Sequence, residues 1–351
     1  MSEGELWERL CSYSDTYTCY SAALATWAAH ERANWADLVD PGLWLTVSPR
    51  RDGLFGFAHF PPDLRGKLGL VRTGSDRREQ ALAGVLDELA RSGRVIVAGD
   101  GFRLPWHVAF GRRHVPHWFV VARTSASPAI VDPFGARNEL GVQRAHQAPV
   151  SEAELAQLLE GLAGEDPVLA LRESLAFGDQ TTLPEDCSFQ WYIGAPADAA
   201  RPPSGTSGPD AILMLASHFR EHGQHLEAYR QADDVWSIAR HRAFHCRHAE
   251  SAQSEELLAW AAEHGRQLVR KWSHLPPLMM QATLALGAGR DASASVPGTL
   301  EQLAELERAA ARAHPHPVLA ALPSATDRRH DERHRTQLGG GACLTEGQGQ
   351  T

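Results

Sequence analysis

Apolar positions recur with two different periods along this chain, and the change of period divides it. Up to about residue 145, short apolar runs alternate with turn residues. The small-residue run at 20–33 reads as a helix. DRREQALAGVLDELAR (76–91) sets Leu82, Val85, Leu86 and Leu89 on one helical face, with Asp76 as N-cap candidate and Gly93 as the stop. RVIVAGD (94–100), HWFVVAR (117–123) and PAIVDPF (128–134) are apolar runs bounded by turn residues, and therefore strands. TSAS joins the last two as a hairpin loop. GLWLTVSPRRDGLFGFAHF (42–60) mixes aromatics with Gly and Pro and predicts loops and short strands.

From about residue 150 the helical period dominates. Ser151 followed by Glu154 opens a helix with a capping-box pattern. Further helices are expected at 209–232, 233–249, 254–273, 275–287 and 298–313, after a flexible connector at 195–210. The polar, Gly/Gln-rich end at 323–351 predicts disorder. The outline is an α+β domain over 1–145, a mostly helical domain over 146–322 and a tail.

Composition narrows the class. No apolar run approaches the ~18 residues that span a bilayer. The opening MSEGELWERL resembles neither a secretory signal nor a transit peptide. Cysteines at 11, 19, 187, 246 and 343 form neither a disulfide framework nor a CxxC pair, which suits a reduced, cytoplasmic protein. The net charge of −9 resides wholly in residues 136–351, with 19 basic against 28 acidic, so neither half carries the basic footprint of a nucleic-acid binder. Within the neutral first part, Arg50–Arg51, Arg77–Arg78 and Arg112–Arg113 are either solvated surface or a landing site for an acidic partner.

Cys19 stands where the small-residue helix begins. Unpaired N–H groups at a helix start favour a thiolate, whereas a free cysteine in this setting is also an ordinary small core residue. A nucleophilic thiol further needs a base and a group that orients the base. An even loop in the 117–134 hairpin makes His117 and Asp132 cross-strand or diagonal neighbours on one face. The carboxylate is then expected on Nδ1–H of the imidazole, leaving Nε2 for the thiol.

These residues also carry a resemblance. CYSAALATW, RVIVAGDGFRLPW and HVPHWFVVAR…AIVDPFG, in that order, resemble the butirosin biosynthesis protein H N-terminal domain family, a group of papain-like cysteine enzymes. The likeness spans roughly residues 8–140. It places Cys19, His117 and Asp132 on the family's catalytic positions and Asp100 and Trp106 in an intermediate stretch that can touch substrate. It implies a papain-like fold, a helix packed on a mainly antiparallel sheet. It also implies transfer of an acyl group from the phosphopantetheine thioester of an acyl or peptidyl carrier protein to the amine or hydroxyl of a small-molecule acceptor. No bound cofactor, metal, nucleic acid or membrane is expected, and homo-oligomerisation is left open. The glutamine that many papain-like enzymes carry before the cysteine is missing from SYSDTYT (12–18), so Tyr13, Thr16 and Tyr17 are the candidate oxyanion donors beside the Cys19 N–H. A thioesterase or peptidase-like hydrolase with the same triad is the alternative, and a non-catalytic binding protein is a third.

Rival constellations exist. In ARHRAFHCRHAE (239–250), His241, His245 and His248 fall on one helical stripe next to Cys246 and could bind zinc, or form a polar face at a domain interface. His107 and His114 flank the 117 strand, and His114 competes as base. Cys11 is the alternative nucleophile.

Overall fold

A computed structural model describes residues 2–30, 32–58, 67–124, 127–159, 187–195 and 204–316. Its frame is a six-stranded antiparallel sheet with strands in the order Leu70–Ser75, Phe189–Gly194, Arg94–Asp100, Pro116–Arg123, Pro128–Asp132, His146–Pro149. In chain order the elements begin with helices α1 (Glu3–Cys11), α2 (Cys19–Ala29) and α3 (Trp35–Val39), then strands β1 (Thr46–Pro49), β2 (Phe55–Ala58) and β3 (Leu70–Ser75). Helix α4 (Arg78–Ser92) leads into β4 (Arg94–Asp100), β5 (Pro116–Arg123) and β6 (Pro128–Asp132). The short hairpin β7 (Ala136–Asn138) and β8 (Gly141–Gln143) precedes β9 (His146–Pro149), α5 (Glu152–Leu158), β10 (Phe189–Gly194) and β11 (Thr206–Ser207).

The central strands read as unbroken apolar runs because helices cover both faces of the sheet. On one face α2 packs with Trp118, Val120, Ile96 and Tyr192, and α1 and α3 close its flank through Leu10 and Trp35. Every residue of α2 from Tyr20 to Ala29 is buried, so the helix is apolar all round and sits inside the core. On the other face Val85, Leu89 and Leu155 pack against Val95, Val97, Phe119 and Val121.

The second core is helical: α6 (Gly208–His222), α7 (Ala232–Ser251), α8 (Glu255–Trp260), α9 (Arg266–Gly287) and α10 (Ser295–Ala313). Its centre is Ile212, Leu215, Trp272, Leu275, Leu300 and Leu303. Among the described residues, no helix is long and apolar enough to cross a membrane.

The expected boundary at residue 145 fails, because the chain beyond it completes the first sheet. β9 forms one edge, and β10 inserts between β3 and β4. Exchange also runs the other way: Leu43, Leu45, Val47 and Phe57 pack into the helical core. The supposed flexible connector ends in β11, whose Thr206 and Ser207 pair with Val47 and Thr46. A buried Arg242 fixes this graft, donating to the carbonyls of Gly42 (3.2 Å), Leu43 (3.1 Å) and Trp44 (3.2 Å) and pairing with Glu307 at 2.5 Å.

Several local expectations change. Helix α4 starts after Arg77 with no side-chain cap, so Asp76 is not its N-cap, although Gly93 closes it at φ 77°. The helix expected over 209–232 ends at His222, and a 3₁₀ turn at Leu226–Tyr229 follows. The two helices expected within 254–287 form one continuous run, with a π-helical turn at Ala261–Gly265 and Pro276–Pro277 inside the helix rather than ending it. The tail expected to be disordered, 323–351, lies outside the described residues.

Candidate active site

Cys19 is the first residue of α2, half-buried, directly after a reciprocal cap. The Ser21 N–H donates to Thr18 Oγ1 (3.2 Å) and the Thr18 N–H to Ser21 Oγ (2.8 Å). That cap uses up two of the first-turn donors and sets the angle at which the thiol leaves the helix.

Three strands bring the other groups to this helix start. β4 and β5 pair through Gly99 and His117, and β5 pairs with β6 through Val120 and Val131. Continuing that register by one residue sets Phe119 across from Asp132, so His117 is the diagonal neighbour of the carboxylate. His117 Nε2 meets Asp132 Oδ2 at 2.8 Å, with both side chains at 1% exposure or less. The expected assignment of the two ring nitrogens is therefore reversed: Nε2 faces the carboxylate, and Nδ1 is left for the thiol. Cys19 acts on the ring from that side through a hydrogen bond and its charge.

The carboxylate is over-determined. The Trp106 indole N–H donates to Oδ2 (2.9 Å) and the Phe134 N–H to Oδ1 (3.2 Å). Trp106 thereby positions Asp132, and His146 stacks on its indole at 4.8 Å. The His117 ring lies between His107 (centroids 4.5 Å apart) and Phe134 (5.6 Å). His107 comes this close because Gly101 has no side chain; a Cβ there would lie 2.6 Å from His107 Nδ1.

Burial pushes the His117 imidazole down, but the charge and hydrogen bond of Asp132, and then those of Cys19, more than reverse this and raise it to about 10. His117 is thus an imidazolium at neutral pH, set between a carboxylate and a sulfur. Such a cation beside a thiol favours its nucleophilic form. His107 goes the opposite way, pushed to about 2 by burial and by His117. The Ala109 N–H donates to its Nδ1 (3.1 Å), so its proton resides on Nε2.

The helical part also reaches this site. From α7, Arg240 donates to the carbonyls of Ser14 (2.8 Å) and Gly135, and lies over the rings of Trp236 (4.7 Å) and Phe134 (5.5 Å). Burial lowers Arg240 to about 10 against the opposing charges of Asp15 and Cys19. Arg247 holds the same loop through Ser12 O (2.8 Å) and Asp15. Neither arginine was singled out from the sequence; the readable signal was the Arg/His-rich stretch 239–250 as a domain-interface face.

The other candidates are placed elsewhere. The Tyr13 hydroxyl meets Ser251 Oγ (3.1 Å), and Thr16 Oγ1 donates to the Tyr13 carbonyl (2.7 Å). Tyr17 is sealed within a cluster of Tyr13 and Phe244, and its hydroxyl is pushed up by burial. The Tyr13 and Thr16 hydroxyls are thus engaged in these bonds, whereas the buried Tyr17 hydroxyl has no hydrogen-bond partner among the described residues. Asp100 accepts from the Phe102 N–H (3.0 Å), the Val115 N–H (3.2 Å) and His114, closing the base of the 101–115 loop. It anchors the loop and pairs with His114, while the imidazole that meets Cys19 is that of His117. Burial, followed by the charge of Asp132, pushes the Cys11 thiol up to about 11, which disfavours it as nucleophile.

The histidine stripe does not converge. His245 bridges Asp40 (2.7 Å) and His314 (3.0 Å), while His248 pairs with Asp37 (2.7 Å). Among the described residues, no group of His, Cys, Asp or Glu is arranged to hold a metal ion.

No protein-family model matches the chain, and no curated protein matches it significantly in sequence. The side chains that carry chemistry here are a thiol at a helix start, a cationic imidazole beside it and a buried carboxylate behind. That set can form and resolve a covalent thioester.

Proposed function

We propose that this protein is a papain-like cysteine acyltransferase whose nucleophile is Cys19. One observation carries the reading: three residues distant in sequence, Cys19, His117 and Asp132, form a thiol–imidazole–carboxylate chain. The order Cys–His–Asp, with the cysteine opening a helix that packs on an antiparallel sheet, supports the resemblance to the butirosin biosynthesis protein H family and, with it, an acyl carrier protein as donor.

In the first half-reaction the Cys19 thiolate attacks the donor thioester carbon. The C–S bond to phosphopantetheine breaks, the acyl group passes to Cys19, and the departing thiolate takes the proton of the His117 imidazolium. The now neutral His117 then accepts a proton from an acceptor amine as its nitrogen attacks acyl-Cys19. An amide forms and the Cys19 thiolate and His117 imidazolium are restored. The Cys19 backbone N–H, a first-turn amide without an intrahelical partner, serves the developing oxyanion. A hydrolase would run the same first step and use water in the second.

The test is intact-mass measurement after mixing the protein with a panel of acyl thioesters. An acyl adduct on Cys19, absent in Cys19→Ala and strongly slowed in His117→Ala, is the expected result. Subsequent addition of amines distinguishes amide from free acid. Failure of every thioester to label Cys19 would refute the reading.

A further inference from the structure

The chain is acidic overall, yet one face beside the candidate site has the opposite charge. Two segments build it. The 101–115 loop carries Arg103, Arg112 and Arg113 with no acidic residue, and the 136–147 segment carries Arg137 and Arg144 against Glu139. All six side chains belong to exposed residues. The segments are held together as one surface: the Val108 N–H donates to Gln143 Oε1 (2.7 Å), Arg112 donates to the Leu140 carbonyl (2.7 Å), and Arg113 faces Glu139 at 3.8 Å.

Two further observations make this face more than solvated charge. Of the six large apolar side chains most exposed among the described residues, two stand here, Phe110 (49%) and Val142 (52%). Aromatic and arginine side chains together are the composition of protein-binding patches, whereas isolated surface charge lacks the apolar anchor. The same loop carries Trp106, which holds Asp132, and His107, which contacts His117. A partner seated on Phe110 and the arginines thus rests on the loop that packs against His117 and Asp132.

The other arginine pairs noted in the sequence differ from this one. Arg50 is taken up locally by Asp52, and Arg77 precedes α4 as its uncapped start. The five arginines against one glutamate on this face attract an acidic partner to it.

We propose that the surface formed by residues 101–115 and 136–147 docks an acidic protein, with Phe110 and Val142 as apolar anchors and Arg103, Arg113 and Arg137 as its charged rim. Resting on the acyl-transfer reading, this makes the face the landing site of the acyl donor protein. A phosphate-bearing small donor is the competing occupant, and the assay separates the two.

The experiment uses the full chain and Arg103→Glu/Arg113→Glu, with Arg270→Glu/Arg290→Glu in the helical part as a control of equal charge change. Three acyl donors carry the same acyl group: an acidic carrier protein, coenzyme A and a phosphate-free pantetheine. Loss of steering and of the rim is expected to lower kcat/KM for the protein donor on the order of tenfold to a hundredfold, with the two small donors unchanged. An equal loss with coenzyme A would mark a phosphate site and overturn the proposal, as would an unchanged rate with the protein donor. Binding of the fluorescently labelled carrier, followed by anisotropy at low and high salt, decides the matter independently of turnover. Tight, salt-sensitive binding abolished by the double variant and retained by the control supports the proposal. Equal binding by parent, variant and control, or no binding by the parent, overturns it. A parent that binds the carrier but transfers from no donor would refute the acyl-transfer reading and leave the docking face standing.

Discussion

Replacing Asp132 with Asn keeps the size of the side chain and removes its charge, and the structure sets what should follow. The carboxylate accepts three N–H groups, from His117 and Trp106 on Oδ2 and from Phe134 on Oδ1. An amide has one acceptor oxygen and brings two N–H donors of its own, so in either orientation at least one donor faces another; an unsatisfied buried group costs about 1–3 kcal/mol. The charge effect is larger. The difference between 6.5 and about 10 for His117 corresponds to on the order of 5 kcal/mol favouring the imidazolium in the fold. Asp132 is the largest raising cause, and burial acts against it, so without the carboxylate the ring falls from about 10. The sign follows from linkage: a raised imidazole stabilises the fold fully below 6.5 and loses that contribution as pH climbs to about 10. The parent should therefore lose stability between pH 6.5 and 10 through this group, and Asp132→Asn should lack that component. Urea unfolding at intervals from pH 6 to 10 reads the first effect. The rate of iodoacetamide alkylation at the Cys19 peptide, resolved by mass spectrometry, reads the second. Cys11 and Cys246, both pushed to about 11 by burial, stay slow under the same conditions and serve as internal references. At pH 6–7 the variant should alkylate at Cys19 at least tenfold more slowly, an effect of the size that thiolate stabilisation commands. Superimposable alkylation profiles in parent and variant would refute the ion-pair account of the site.

Two further outcomes follow from single contacts. Trp106→Phe keeps the ring that His146 stacks on but removes the indole N–H from the Asp132 carboxylate; a charge-assisted bond of this kind is worth about 1.5–3 kcal/mol, to be read as a lowered urea midpoint together with slower acylation of Cys19. Glu307→Ala strands the buried Arg242 and the Trp272 indole, which share that carboxylate. The expected loss is ~3–5 kcal/mol by chemical denaturation, and replacing Arg242 with Met as well does not restore it, because the carbonyls of Gly42, Leu43 and Trp44 then lose their donor.

What the sequence disclosed follows from what is local in it. Three strands of the sheet and the helix carrying Cys19 are bounded by their own turn residues, so periodicity found them. The four-residue loop TSAS made the His117–Asp132 geometry a matter of parity, and the diagonal register follows from it. β10 could not be placed that way. Its pairing with Thr73 and Val97 joins residues about a hundred positions apart, too far for any local turn to set the register. The burial of the oxyanion candidates was hidden for a related reason. Tyr13 and Tyr17 look available in a polar loop, yet Phe244 and Ser251 of α7, which cover them, lie far along the chain. The choice of imidazole nitrogen was also invisible, because it depends on how the ring rotates at the start of β5 beside His107 and Phe134.

The helical half is coupled to the chemistry rather than appended to it. Gly135 follows the Asp132 strand and Ser14 precedes the Cys19 helix; the Gly135 N–H donates to the Ser14 carbonyl at 3.0 Å, and Arg240 then binds both carbonyls at once. One guanidinium from α7 thereby ties the segment behind the nucleophile to the segment behind the carboxylate. Arg247 repeats the attachment two helical turns further on, at Ser12 and Asp15. In return, residues 43–58 of the first part fill the helical core, with Arg242 and Glu307 fastening them. Each part thus buries apolar surface that the other must supply, and neither would keep its core if cut at residue 145. A distance between thiol and imidazole that must hold to a fraction of an ångström is here set partly by a helix more than two hundred residues away in sequence. Helix α7 is accordingly where changes remote from Cys19 should act most strongly on its reactivity.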